Sequence, residues 1–160
     1  MLSVNLIAVG KLKEEYLRLA CGEYEKRLSA FCRLNITEIT ESRLPENPSE
    51  AQISAALEKE ADDIIAKFPK NSYTIAMCIE GKQMSSEKFS SLTEDIPLRG
   101  KSAVNIVIGS SFGLSDRIKS QADLRLSMSE MTFPHQLARV MLLEQLYRAF
   151  MISSGGKYHK

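Results

Sequence analysis

Val104-Asn105-Ile106-Val107-Ile108 is followed at once by Gly109-Ser110-Ser111-Phe112-Gly113-Leu114. The first five residues are an apolar run of strand length. The next six are a glycine-flanked turn that lets backbone approach a ligand closely or take φ > 0. Downstream, the polar loop Leu126-Ser127-Met128-Ser129-Glu130-Met131-Thr132-Phe133-Pro134-His135 runs into a long apolar helix. A strand feeding a glycine turn, then a loop, then a helix is how α/β proteins build a crevice at the carboxyl ends of strands. Taken alone, the turn is as much an ordinary connection as a site.

The rest of the chain repeats that alternation. Leu2 to Val9 is a short apolar run ending at Gly10, and Leu12, Tyr16, Leu19, Ala20, Tyr24 and Leu28 then recur at helical steps. Arg33 to Ile39 reads as a second strand, and Glu41 to Pro48 as a loop. Ser49 with Gln52 forms a capping box, opening a helix with Ile53, Leu57, Ala61, Ile64, Ile65 and Phe68 on one side. Tyr73 to Ile79 is a third strand closed by Glu80-Gly81-Lys82, and a short helix carries Phe89 and Leu92 before Pro97. Ser115-Asp116 caps a brief helix with Ile118 and Ala122, and Leu124 to Ser127 is a last strand. Strands alternating with helices predict an α/β fold, a mainly parallel sheet with helices on both faces, in one domain over 1–160.

The final helix, predicted to open with Pro134 as its first residue and to stop at Gly155-Gly156, is apolar nearly all round. It has two readings: a helix central in its own core, or one covered on its second side by another copy. We expect a homodimer.

Net charge is +1 with a pI near 7.7, short of a dedicated nucleic-acid binder. Residues 1–98 nevertheless hold 12 Lys and Arg against 16 Asp and Glu, whereas residues 99–160 hold 9 against 4. The basic C-terminal part points to an anionic partner. No apolar run reaches the roughly 18 residues of a membrane span, and the N-terminus lacks a signal-peptide pattern, so a cytoplasmic protein is expected. Cys21, Cys32 and Cys78 show no CxxC spacing and read as core fillers, with no disulfide or metal role.

The spacing Gly109-x-x-x-Gly113 is neither a dinucleotide fingerprint nor a Walker loop, and two histidines are too few for a histidine-built metal site. Glu144 and Arg148 form an i, i+4 pair in the favourable order. His135 and Arg139 share the first turns of the last helix, as a solvated pair or as contacts to an anion or base. The tail Lys157-Tyr158-His159-Lys160 has the stacking ring and cations that an RNA contact needs.

The segments Val107–Leu114 and Leu126–Gln136, Glu144-Gln145-Leu146-Tyr147-Arg148-Ala149, the terminal Tyr158-His159-Lys160 and the opening Ala8-Val9-Gly10-Lys11 together resemble the RlmH group of SPOUT-class methyltransferases over essentially the whole chain. The resemblance implies methyl transfer from S-adenosyl-L-methionine to N3 of pseudouridine 1915 in helix 69 of 23S ribosomal RNA, on assembled ribosomes. It also implies a C-terminal deep trefoil knot, an exception to the rule that chains do not thread loops. Carried over residue by residue, it places the cofactor at Met77, Gly109, Met128, Ser129, Glu130, Met131, Thr132 and Phe133. Catalytic roles are expected for His135, Arg139, Tyr158 and His159, the tail supplied by the partner subunit.

One departure is Ser110, where relatives commonly have glycine; a φ > 0 there would cost serine about 1 kcal/mol or more. The rival readings are a non-catalytic ribosome- or RNA-binding factor with the same fold, and a generic nucleotide-binding α/β enzyme. Against the second, the glycine turn follows the fourth predicted strand and not the first.

Overall fold

The computed structural model describes residues 1–159; Lys160 of the tail motif lies outside the described residues. Five strands alternate with five helices: β1 (Ser3–Val9), α1 (Glu15–Leu28), β2 (Arg33–Ile39), α2 (Glu50–Ile65), β3 (Ser72–Lys82), α3 (Ser86–Leu98), β4 (Ala103–Ile108), α4 (Asp116–Gln121), β5 (Leu124–Leu126) and α5 (His135–Ser153). The strands form one parallel sheet in the order β2-β1-β4-β3-β5. β4, central and flanked by β1 and β3, is buried at every residue, which is why its sequence is an unbroken apolar run apart from Asn105.

The layers follow from the strand alternation. Val4, Leu6 and Ala8 of β1 face a core shared with α1, α3 and α5, while Ile7 and Val9 face α2 and α4. Crossovers toward the β2 edge run over the first face, through α1 and α3. Those toward the β5 edge run over the second, through α2 and α4. Reversing both direction and face keeps one hand throughout, as parallel crossovers require.

Register is pinned by a polar ladder. Asn5 pairs in register with Asn35 and Asn105, and Asn105 with Thr74. Asn35 Nδ2 donates to Asn5 Oδ1 (3.2 Å), Asn5 Nδ2 donates to Asn105 Oδ1 (3.0 Å), and Asn105 Nδ2 donates to Ser72 Oγ (2.8 Å) and Thr74 Oγ1 (3.1 Å). One row of side chains thus crosses four strands, and a slipped strand would leave buried amides unpaired.

Local signals behave largely as expected. Ser49 Oγ accepts from Gln52 N (3.1 Å) while Gln52 Oε1 accepts from Ser49 N (2.9 Å), completing the capping box. Ser49→Ala is therefore expected to lower stability by about 1 kcal/mol, read by urea denaturation. The helix opened at residue 134 starts one position later: Pro134 is the N-cap, with ψ at 137°, and His135 is the first helical residue. Two assignments change more. In α1 the inward face is Leu17, Cys21 and Leu28, with Tyr16 and Leu19 exposed, because the helix begins at Glu15 and Leu12 belongs to the preceding loop. In α5, α1 and α3 pack along either side, with Leu142, Leu143, Leu146 and Ala149 buried beneath. Its breadth of apolar surface is thus met within the protomer, and this helix by itself gives no reason for a second copy.

Candidate active site

Chain direction reverses at the carboxyl ends of β3 and β4: the chain leaves β3 over one face of the sheet and β4 over the other, opening a crevice at a topological switch point. The segment 127–134 then crosses from β5 to α5 and supplies a third wall. The resulting cleft has a volume of about 640 Å³, within the range of cofactor sites.

Each wall has a local cause. On the β4 side, Gly113 N donates to Ser110 O (2.9 Å), closing the turn on itself, with Gly113 at φ +85°. A Cβ on Gly109 would collide with the Gly113 backbone, so glycine is required there by close approach and not by its own φ. Ser110 is not among the residues of positive φ, and its Oγ accepts from Phe112 N (3.3 Å). The feared strain is absent: serine suits this turn and caps it.

The β3 wall was not legible in the sequence. Beyond Ile79, where the strand is predicted to end, β3 continues to Lys82, but Met77 and Lys82 both pair with Leu126 of β5. Cys78–Gly81 therefore bulge out of the ladder, and Cys78, Ile79 and Glu80 line the cleft. Cys78 is thus a site-lining residue, unlike the buried Cys21 and Cys32. A Cβ on Gly81 would meet the Arg125 and Leu126 backbone at 2.7–2.8 Å, so Gly81 lets the bulge rejoin β5. Glu80 is anchored by Lys119 (2.6 Å), which holds its carboxyl below the usual range.

On the third wall, Met128, Ser129, Met131, Thr132, Phe133 and His135 line the cleft, together with Met77 and Gly109 opposite. Ser127 Oγ donates to Ser129 O (3.0 Å) and Met131 N to Ser129 Oγ (3.0 Å), which folds this loop back over the crevice. Glu130 is exposed and does not line it. The lining is mostly apolar side chains with backbone groups at the two loops, suited to a flat heteroaromatic ring and a thioether chain. Among the described residues no group of three or more His, Cys, Asp or Glu is placed to hold a metal, and no helix is long and apolar enough to cross a membrane.

Arg139 and the tail lie elsewhere in the protomer. Arg139, 3% exposed, donates to Glu38 Oε2 (2.9 Å) and Gly10 O (3.2 Å), under the carboxyl ends of β1 and β2. Its guanidinium is committed to those partners and does not enter the cleft. Because Arg139 joins α5 to the β1 loop, Arg139→Met should cost about 3 kcal/mol, measured by denaturation, by stranding Glu38 and the Gly10 carbonyl.

The tail folds back on α5. Glu144 Oε1 accepts from Arg148 Nη2 (2.6 Å), Arg148 Nε (3.0 Å) and Tyr158 OH (3.2 Å). The Tyr158 ring packs edge-on to Tyr147, with the Arg148 guanidinium 4.8 Å from its centroid. Burial, with Tyr24 and Glu144 nearby, pushes the Tyr158 phenol up to about 12, so it stays protonated at neutral pH. Arg148 Nη1 lies 3.2 Å from His159 Nδ1, and His159 Nε2 lies 2.9 Å from Glu87 Oε1. Arginine can only donate, which assigns the ring hydrogen to Nε2, facing the Glu87 carboxylate.

Comparison with known proteins agrees with this architecture. The family described as predicted SPOUT methyltransferase matches residues 2–159. Proteins named ribosomal RNA large subunit methyltransferase H from Clostridium acetobutylicum, Clostridium novyi and Clostridioides difficile are 49%, 48% and 45% identical, each over 99% of this chain and 100% of their own length. A solved structure described as a probable methylase family protein from Haemophilus influenzae Rd KW20 superposes with a TM-score of 0.55 at 14% identity, covering 100% of this chain and 72% of that one, a likeness of fold. Fold, crevice and full-length similarity lead to one conclusion: this chain belongs to the SPOUT methyltransferase family, in its RlmH group.

Proposed function

We propose that the chain methylates N3 of pseudouridine 1915 in helix 69 of 23S ribosomal RNA, with S-adenosyl-L-methionine as donor, on assembled ribosomes in the cytoplasm. It does so as a homodimer, its C-terminal segment threaded as the trefoil knot of its relatives. The observation that carries this reading is the cleft at the β3/β4 switch point, walled by Met77–Glu80, Gly109–Leu114 and 127–135. Its relatives are named for methylation of large-subunit ribosomal RNA, and the basic C-terminal part of the chain suits an RNA partner.

The lining fits the donor. Gly109 leaves backbone open to an adenine-sized ring, while Met77, Met128 and Phe133 give the apolar surface for it. S-adenosyl-L-methionine supplies an electrophilic methyl group there. What the chain must do is hold the acceptor nitrogen in line and take its proton. His135 stands at the cleft. Tyr158, protonated at neutral pH, serves as a donor to a carbonyl oxygen of the base and not as a proton acceptor. His159 offers a second imidazole. In the protomer the tail sits on α3 and α5, away from the cleft lining, so Tyr158 and His159 act on the cleft of a partner subunit. The exposed Ile79, Phe112, Met131 and Leu137 give that second copy an apolar surface to cover. Arg139 contributes by positioning the first turns of α5.

Mass spectrometry of ribosomal RNA from a deletion strain, with and without the gene restored, tests the reaction. Loss and return of one N3 methyl group is expected, and an unchanged modification pattern rejects it. Calorimetry must also show donor binding, which a non-catalytic binding factor would lack. His159→Ala is expected to lower kcat/KM on ribosomes by about 100-fold or more while leaving donor affinity unchanged. A near-native rate removes His159 from the site. Light scattering that finds a monomer at micromolar concentration rejects the dimer.

A further inference from the structure

Back to back with the donor cleft lies a second cavity of about 520 Å³, between the start of α3 and the first half of α5. Met77, Leu126, Ser127 and Met128 line both spaces, so they are separated by little more than one layer of side chains. The outer cavity adds Met84, Met141 and Phe89 to that shared wall. Thioethers are unbranched and polarisable, and pack well against the faces of flat rings.

One flank is polar and ordered. Ser86 Oγ donates to Gln145 Oε1 (2.6 Å), and Gln145 Nε2 donates to Glu144 Oε2 (2.7 Å). Glu144 is in turn fixed by Arg148 and Tyr158, so this flank is set rigidly by the tail network.

We propose that this cavity is the subsite for the target base, a pyrimidine turned out of its stack, with the Ser86–Gln145–Glu144 flank reading its polar edge. The inference rests on the function proposed above. Enzymes acting on a base must extrude it, and they recognise it by apolar contact on its faces and hydrogen bonds along its edge. Pseudouridine presents N1–H, O2, N3–H and O4 in an unbroken run, more polar positions than uridine offers. A flank holding an amide, a hydroxyl and a carboxylate in one row supplies both acceptors and donors for it. The shared methionine wall then puts acceptor and donor on opposite sides of Met77 and Met128.

Met84→Trp fills this cavity from a position outside the donor cleft, and Gln145→Leu removes the amide. Both variants are expected to bind S-adenosyl-L-methionine within about twofold of wild type by calorimetry, yet to lose about 10- to 200-fold in kcat/KM on ribosomes, the scale of altered substrate contacts. Gln145→Leu should also narrow the ratio of rates on ribosomes carrying pseudouridine and on ribosomes left with uridine at the target. Wild type failing to methylate either ribosome would reject the proposed function itself. With wild type active, the subsite is overturned if either variant binds donor normally and methylates within threefold of wild type. It is equally overturned if Met84→Trp destroys donor binding, which would make the cavity part of the donor site.

Discussion

Gly109→Ala is expected to lower donor affinity at least 100-fold in calorimetry and to cost about 2 kcal/mol of stability, the scale of overpacking in a tight core. The added methyl would collide with the backbone of Gly113, which closes the same turn. Backbone cannot rotate aside as a flexible side chain can, so the turn must open. The opening displaces the β4 wall of the cleft into the space the donor occupies. Ser110→Ala is the control, since it keeps the backbone and removes only an Oγ that accepts from Phe112 N at 3.3 Å. It should bind donor within about threefold of wild type, an exposed-turn hydrogen bond contributing about 1 kcal/mol or less. Normal donor binding by Gly109→Ala would show that the turn is not a wall of the donor site.

Asn105→Leu should be the most destabilising single change in the sheet, by about 3 kcal/mol or more in urea unfolding, from several buried polar atoms losing partners at once. Asn105 is fully buried and bonds to Asn5, Ser72 and Thr74. Leucine is close to it in size, so the loss is not a cavity. It is the cost of leaving the Asn5 amide without its acceptor and two hydroxyls without a partner, inside the layer under α2 and α4. Asn35, at the exposed edge of the same ladder, gives the contrast: Asn35→Ala should change stability by about 0.5 kcal/mol or less, since water replaces the lost partner. Equal losses at the two positions would mean that the ladder does not set the register.

The sequence carried much of this molecule because its signals are local. Apolar runs at β1, β3 and β4 state that those strands are buried on both faces, and strand–helix alternation then leaves a parallel sheet with both faces covered. The Ser49 capping box acts over one turn and was readable residue by residue. Gly109, Met77 and most of 128–133 were reached through family resemblance, and the structure brings them around one crevice. Helix faces were less legible: Tyr16 and Leu19 satisfy a helical spacing in α1 but point to solvent, because periodicity fixes a stripe only once the helix start is known.

Local chemistry therefore determined the elements, their parallel pairing and the position of the glycine turn. Tertiary structure alone decided the rest: that Cys78–Gly81 bulge into the cleft wall, that Arg139 is held by Glu38 and Gly10 beneath β1 and β2, and that the tail docks through Glu144 and Glu87. These are contacts between residues far apart in the chain. Their partners are chosen by strand order and by which helix covers which face, and no short window of sequence records that choice.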